Sequence, residues 1–341
     1  MKAEALRVSV VVVSRDRAGE LSSALSAIEA QRLPPESFEI VVVDDGSTDG
    51  TGEALSAMWR SPSGDWRPGR SVIRNEFPLG PGRARNLGVE RARAPVVAFT
   101  DSDCTPAVDW LEELLAPFDD PRVGAVGGRE SDDPADPAMA RAVHFAMTSP
   151  LTTGRVRGGR GRSAGRYRPR SFNMAVRRDA FLRAGGFADA YYGEDVDLSL
   201  RIARLGFISV FAQESRVHHR RRATPAGVWA QAFAMGRARA RLMRSDRGHA
   251  ELVYALPTLA MAFALALTAA AIASRAMREL AAVALGMAAL YLIAVGWEAL
   301  RAAGDLRVAL LAPLIFVLQQ TAYGSGFLAG LLRRSREEYA R

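Results

Sequence analysis

One cysteine in 341 residues, Cys104, leaves no partner for an intrachain disulfide and fits a reducing compartment. Lysine is almost missing as well: Lys2 is the only one. The 45 basic residues are therefore nearly all arginine, set against 37 acidic residues for a net charge of +8. Such a balance is compatible with nucleic acid, an anionic membrane surface or phosphorylated substrates. The arginines fall beside a glycine-rich loop and an apolar region, without interleaved aromatics, which argues against a nucleic-acid surface. The first residues also lack a signal-peptide layout, because the apolar run Val8 to Val13 is short and Arg15-Asp-Arg17 follows it. An N-terminal region facing the cytoplasm is the expectation.

Short valine-rich runs are what the first two-thirds do contain. Arg7 to Val13, Glu39 to Val43 and Val96 to Thr100 read as strands buried on both faces, with Ser71 to Arg74 as a shorter one. Between them, Leu21, Leu25 and Ile28 mark one apolar helix face, a second helix runs to about Trp59, and a third opens at Gly80. This β-α-β-α-β-α-β order predicts an α/β fold with a mostly parallel central sheet. Asp109 to Phe118 reads as a further helix and Val123 to Gly127 as a strand, and Gly206 to Phe211 as another strand.

Acidic loops follow two of the valine strands: Asp44-Asp45-Gly-Ser-Thr-Asp-Gly50 and Asp101-Ser-Asp103. The carboxyl ends of parallel strands are where open α/β sheets bind ligands. Carboxylates at i and i+2 of an extended backbone point the same way, so Asp101 and Asp103 are placed to face one divalent cation. An acidic turn capping the next helix is the other reading of the same residues. Gly80-Pro-Gly82 has no third glycine where a dinucleotide loop needs one, since Arg85 stands there. Glu194 and Asp195 open a helix, where the helix dipole favours carboxylates. His144 reads as an ordinary helix residue. Seven arginines lie among glycines in 154–170, either a solvated, flexible loop or a clamp for phosphates or anionic headgroups.

Beyond Pro225 the composition changes. Trp229, Phe233 and Met243 alternate with Arg237, Arg239, Arg241 and Arg244, as in a helix at a membrane interface or one packed on the α/β domain. Leu252 to Ser274, Leu280 to Trp297 and Val308 to Leu332 are apolar segments long enough to span a bilayer. Three full spans would place Arg333, Arg334 and Arg336 across the membrane from a cytoplasmic domain, against the positive-inside tendency. Either that tendency yields, or one segment lies in the interface or re-enters.

With these residues assembled, the chain resembles the family 2 glycosyltransferases, over about Arg7 to Arg244. Five strings in order carry the likeness: Val41-Val-Val-Asp-Asp-Gly-Ser-Thr-Asp-Gly-Thr51, Ala84-Arg-Asn-Leu-Gly88, Phe99-Thr-Asp-Ser-Asp103, Phe172-Asn-Met-Ala-Val-Arg-Arg178 and Gly193-Glu-Asp-Val-Asp-Leu-Ser-Leu-Arg201. The resemblance implies the nucleotide-sugar-binding GT-A fold and an inverting, metal-dependent transfer of one sugar. The donor would be a nucleotide-diphosphate sugar, and the acceptor a lipid-linked or cell-envelope glycan at the membrane. It implies Asp195 as the general base and Asp45, with Asp44, at the nucleotide base. Arg17, Arg85, Asp101 and Glu194 join them around the substrate. Asp103, Asp101 and His219 would hold Mg²⁺ or Mn²⁺, with His218 the alternative to His219. Arg15 stands where the family usually has an aromatic. No Gln-x-x-Arg-Trp string follows, which argues against a processive synthase. The competing readings are a catalytically silent membrane scaffold of the same fold and a sugar nucleotidyltransferase. The expected layout is a catalytic domain over 1–224, an interface helix and linker over 225–250, about three membrane helices over 251–332 and a basic tail over 333–341. The expected location is multi-pass in the inner (plasma) membrane. Oligomeric state is not legible.

Overall fold

A computed structural model describes residues 5–60, 63, 65, 67–153, 167–189, 192–220, 224–245 and 252–332. The arginine-rich loop over 154–166, the linker 246–251 and the tail 333–341 lie outside the described residues. The described residues form two compact units, drawn from Met1–Ser131 with Arg160–Arg220 and from Asp132–Gly159 with Arg221–Arg341.

The first unit is an α/β layered domain. Its strands are β1 (Val8–Ser14), β2 (Phe38–Asp44), β3 (Arg70–Arg74), β4 (Val96–Asp101), β5 (Cys104–Pro106), β6 (Val123–Ser131), β7 (Met174–Arg177) and β8 (Ile208–His219). They make one sheet in the order β3-β2-β1-β4-β7-β6-β8-β5. β1 to β4 run parallel, β7 is antiparallel to both its neighbours, and β6 and β8 pair in parallel. Its helices are α1 (Ala18–Glu29), α2 (Thr51–Trp59), α3 (Pro81–Arg91), α4 (Trp110–Leu115), α6 (Arg178–Arg183) and α7 (Glu194–Arg204), while α5 (Ala138–Thr148) belongs to the second unit.

Both sheet faces are covered, which is why the strands read as unbroken valine. Val8, Val10 and Val12 of β1 join Leu21, Leu25 and Ile28 of α1, Trp59 of α2 and Trp110 of α4 in one core. Val11, Val41, Val97 and Phe99 point the other way, to Val89 of α3, Phe181 of α6 and Leu198 and Ile202 of α7. α3 lies so close to β1 that a Cβ at Gly88 would run into the Val11 side chain.

Two elements depart from the expectation. β8 extends to His219 rather than ending near Phe211, because its polar second half still pairs with β6 and with the three-residue β5. Among the described residues, those of 132–153 group with the C-terminal helices. Ala142, Val143, Ala146 and Met147 of α5 are buried among Val228, Val295, Ala299, Val308 and Ala312. A cut at residue 224 therefore does not coincide with the packing units.

The second unit is helical: α5, α8 (Pro225–Ser245), α9 (Leu256–Ala273), α10 (Arg275–Ala303) and α11 (Leu306–Leu332). Among the described residues α9, α10 and α11 are long and apolar enough to cross a membrane, with mean hydropathies of 2.0, 2.1 and 1.4 over their most apolar stretches.

Candidate active site

The carboxyl ends of β1, β2 and β4 bring their loops to one rim of the sheet. Asp44, the last residue of β2, is fully buried; its Oδ1 accepts the Ser47 N–H at 3.0 Å, and its Oδ2 faces Arg74 Nε at 3.6 Å. Asp45 is more committed. Its Oδ1 accepts Asn75 Nδ2 and the Leu79 N–H, both at 2.8 Å, and its Oδ2 accepts the Gly80 N–H at 2.9 Å. A carboxylate offers about four lone-pair positions, so three of them are taken up by this framework. Asp45 thereby fixes Gly80, the residue that caps α3. The β1 loop is stitched to the β2 loop: Asp16, held in a left-handed conformation (φ 51°), accepts the Thr48 N–H at 2.8 Å and donates its own to Ser47 Oγ at 3.0 Å.

The two carboxylates after β4 meet different partners. β4 ends at Asp101, the chain turns through Ser102 and Asp103, and β5 starts at Cys104. The backbone is therefore not extended across the pair, and the i, i+2 geometry expected from the sequence is lost. Asp101 Oδ1 accepts Arg85 Nη2 at 2.7 Å. Asp103 instead faces Arg17 Nη1 at 3.0 Å through Oδ2, and His219 Nε2 at 3.4 Å through Oδ1. The charge and hydrogen bond of His219, with the charge of Arg17, hold the Asp103 carboxyl below its usual range although burial opposes them.

Arg85 ties this rim to the start of α7. Its buried guanidinium donates from Nη1 to Glu194 Oε1 at 3.1 Å and lies 5.6 Å from the Phe187 ring centroid. Burial pushes the Glu194 carboxyl up to about 8, aided by Asp195 and opposed by Arg85. One guanidinium faces Asp101, Glu194 and Asp195 together, which favours the protonated form of Glu194. Asp195, next along the first turn of α7, accepts the Val196 N–H at 2.7 Å and lies 3.6 Å from Arg170 Nη1. Gly193 before them adopts φ 84°, a conformation that an L side chain rarely takes.

His219 ends β8 opposite Cys104, and its ring lies 4.9 Å from that of Phe172. Successive strand residues face opposite sides, so this register turns His219, and not His218, toward Asp103. Ligand atoms of Asp103, Cys104 and His219 all lie within 4.8 Å of one another. A carboxylate and an imidazole fit a divalent cation, and His219 Nδ1 is buried without a hydrogen-bond partner among the described residues. Burial, with Asp101 and Asp103 nearby, pushes the Cys104 thiol well up, and sulfur is a softer ligand than Mg²⁺ or Mn²⁺ prefers. Asp101, engaged by Arg85, is not in this group.

Sequence reasoning did not find Glu130, whose Oε1 lies 3.9 Å from His219 Nδ1. No motif marks it; only the β6–β8 pairing brings it there. Arg170 was legible only as one of many arginines in its loop.

Fold and rim together define a GT-A-type transferase. Residues 9–183, just over half of the chain, match the family model described as glycosyl transferase family 2, and the chain belongs to that family. Glycosyltransferase AglE of Haloferax volcanii is 27% identical over 251 residues, covering 73% of this chain and 78% of its own. The pre-mycofactocin glycosyltransferase of Mycobacterium tuberculosis is 30% identical over 211 residues, 58% of this chain but 39% of its own length. A mannosyltransferase structure from Pyrobaculum calidifontis, solved with GDP-Man and Mn²⁺, shares the fold: TM-score 0.62 and 24% identity, over 92% of this chain and 87% of that one.

Proposed function

We propose that this glycosyltransferase moves a single sugar from a nucleotide-diphosphate sugar to a membrane-associated glycan or lipid-linked acceptor, with inversion, in one displacement. The observation that supports this most is the Arg85 bridge, which joins Asp101 at the end of β4 to Glu194 beside Asp195. It sets a carboxylate base and a phosphate-side acidic rim in one constellation. The Pyrobaculum calidifontis neighbour, captured with GDP-Man and Mn²⁺, supports the donor class and the cation.

Asp195 is the base: its carboxylate takes the acceptor hydroxyl proton as the oxygen attacks the anomeric carbon. The Val196 N–H at the start of α7 fixes one of its oxygens. One carboxylate suffices for a single displacement, whereas hydrolysis of a glycoside wants two across the bond. Arg17 lies at the diphosphate side, where its positive charge complements the leaving group. Asp103 and His219 would hold a divalent cation, which would supply Lewis-acid neutralisation of the charge on the diphosphate. The three apolar helices support an acceptor presented at a bilayer, and the cytoplasmic supply of nucleotide sugars supports an inward-facing catalytic unit.

Purified full-length protein in detergent, assayed against a nucleotide-sugar panel with Mg²⁺ or Mn²⁺, tests the reading. Asp195→Asn should lower turnover by about 10²- to 10⁴-fold while donor binding persists. Unchanged turnover in that variant would remove Asp195 as the base. Lipid-linked acceptors should be preferred over soluble ones; equal turnover of both would sink the membrane-acceptor assignment.

A further inference from the structure

α9, α10 and α11 each have the length and apolarity to cross a bilayer, yet their surroundings differ. The most apolar stretch of α9 has none of its residues buried and that of α10 has 6%, whereas α11 has 33%. α9 and α10 are joined through Ser274 alone, so they form a hairpin whose two feet, near Leu256 and Ala303, face one way. Polar residues Arg275, Arg278 and Glu279 stand at its tip.

α11 is fastened to both feet, near its start and again at Gly324. At its start, Val308 and Ala312 pack with Val295 and Ala299 of α10, and a Cβ at Gly296 would lie 3.0 Å from the Ala309 carbonyl oxygen. Further along, Thr258 Oγ1 of α9 donates to the Gly324 carbonyl at 3.0 Å, and a Cβ at Gly324 would lie 2.7 Å from Met261 Sδ. A helix that crossed the bilayer would leave the feet behind at one end.

α8 gives a second, independent reason. It runs beside the last third of α11 in the same direction. A Cβ at Gly236 would strike the Tyr323 backbone, one at Gly326 the Phe233 backbone, and one at Gly330 would lie 2.8 Å from Ala240 Cβ. Arg244 Nη1 then donates to the Leu331 carbonyl at 3.4 Å. Over that stretch α8 carries Arg237, Arg239, Arg241 and Arg244, so sinking α11 into hydrocarbon would drag four cations with it. The Arg239 guanidinium lies 4.3 Å from the Tyr254 ring centroid, just before α9, where an aromatic suits the headgroup level.

The outward face of α11 is nonetheless apolar. Leu306, Leu310, Leu314 and Val317, and after a gap Leu328 and Leu332, are exposed on one helical face, opposite the buried Val308, Ala312, Ile315, Gln319 and Ala322. We infer that the chain crosses the membrane twice, through α9 and α10, and that α11 lies along one bilayer surface with this stripe in the acyl–headgroup boundary. The arginines of α8 then meet anionic headgroups, and Arg333, Arg334 and Arg336 fall on the same side, which satisfies the positive-inside tendency. The inference deepens the membrane-associated reading and rests on α9 and α10 crossing.

Single cysteines at Ala276, Ala302 and Leu332 of the full-length protein, in sealed membrane vesicles with a membrane-impermeant maleimide, test it; the unsubstituted chain reports labelling at Cys104. Positions 302 and 332 should label from one face and 276 from the other. Labelling of 302 and 332 from opposite faces overturns the surface helix while leaving the hairpin intact. Labelling of all three from one face overturns the crossing hairpin itself, and the inference with it. Depth-dependent quenching by brominated lipids, of a fluorophore placed in turn at Leu306, Val317 and Leu328, should report one shallow depth. A mid-bilayer value at Val317 with shallow neighbours overturns the inference as well.

Discussion

The two acidic loops of the rim look alike in sequence and do different things. After β2, Asp45 gives three acceptor positions to its own chain and holds the segment that leads into α3. After β4, Asp101 and Asp103 face arginines and a histidine carried by distant elements. A carboxylate whose partners are backbone N–H groups of its own rim is framework. One whose partners are cationic side chains is poised to exchange them for a ligand. The comparison predicts that substitutions in the first loop cost stability before activity, and in the second activity before stability.

Arg85 tests the boundary case, since it serves the second loop from a buried position. Arg85→Met strands Asp101 and Glu194, and should lower stability in detergent-solubilised urea unfolding by about 3–5 kcal/mol. A small loss would mean that the bridge contributes little to folding. Asp103→Asn should reduce turnover by about 100-fold, roughly 3 kcal/mol in the transition state, with its thermal midpoint little changed. Asp45→Ala should do the reverse: two backbone N–H groups and Asn75 lose their acceptor, at about 2 kcal/mol of stability. If Asp45→Ala instead left the midpoint unmoved and raised only the donor KM, the contrast between the loops would collapse.

The remaining expected effect is a slope. Glu194 has its carboxyl raised from 4.5 to about 8 in the folded chain. The folded state therefore binds the proton more tightly, so its contribution is fully present at low pH and is lost as pH rises through about 8. Between about pH 5 and pH 9 the thermal midpoint should fall more steeply for the native chain than for Glu194→Gln, which carries no titrating proton there.

Much of this fold was legible because valine runs buried on both faces have no competing reading. β1, β2 and β4 lie within a residue or two of their expected bounds, and α1 buries Leu21, Leu25 and Ile28 as their spacing required. β5 was not legible, because three residues make a strand only when β8 is beside them. Which carboxylate meets which cation was hidden for the same reason. Arg17, Arg85 and His219 reach the Asp101–Asp103 turn from three separate elements, so sequence spacing gives no measure of their distance. Glu130 and Arg170 join the site only through sheet pairing and through the bridge between Arg170 and Asn173. The grouping of α5 with the C-terminal helices was not legible for another reason: its apolar face fits a helix bundle as well as a sheet, and local pattern does not choose.

Asp45 and Arg85 stand at successive points of one lever. Asp45 fixes Gly80, Gly80 starts α3, and Arg85 rides on the second turn of that helix, between Asp101 and Glu194. A displacement at the foot of α3 is therefore read at its far contact. The two loops, so different in role, are not free to vary independently. Paired substitutions at Asp45 and Arg85 should be non-additive, and a lineage that remodels one is expected to carry a compensating change at the other.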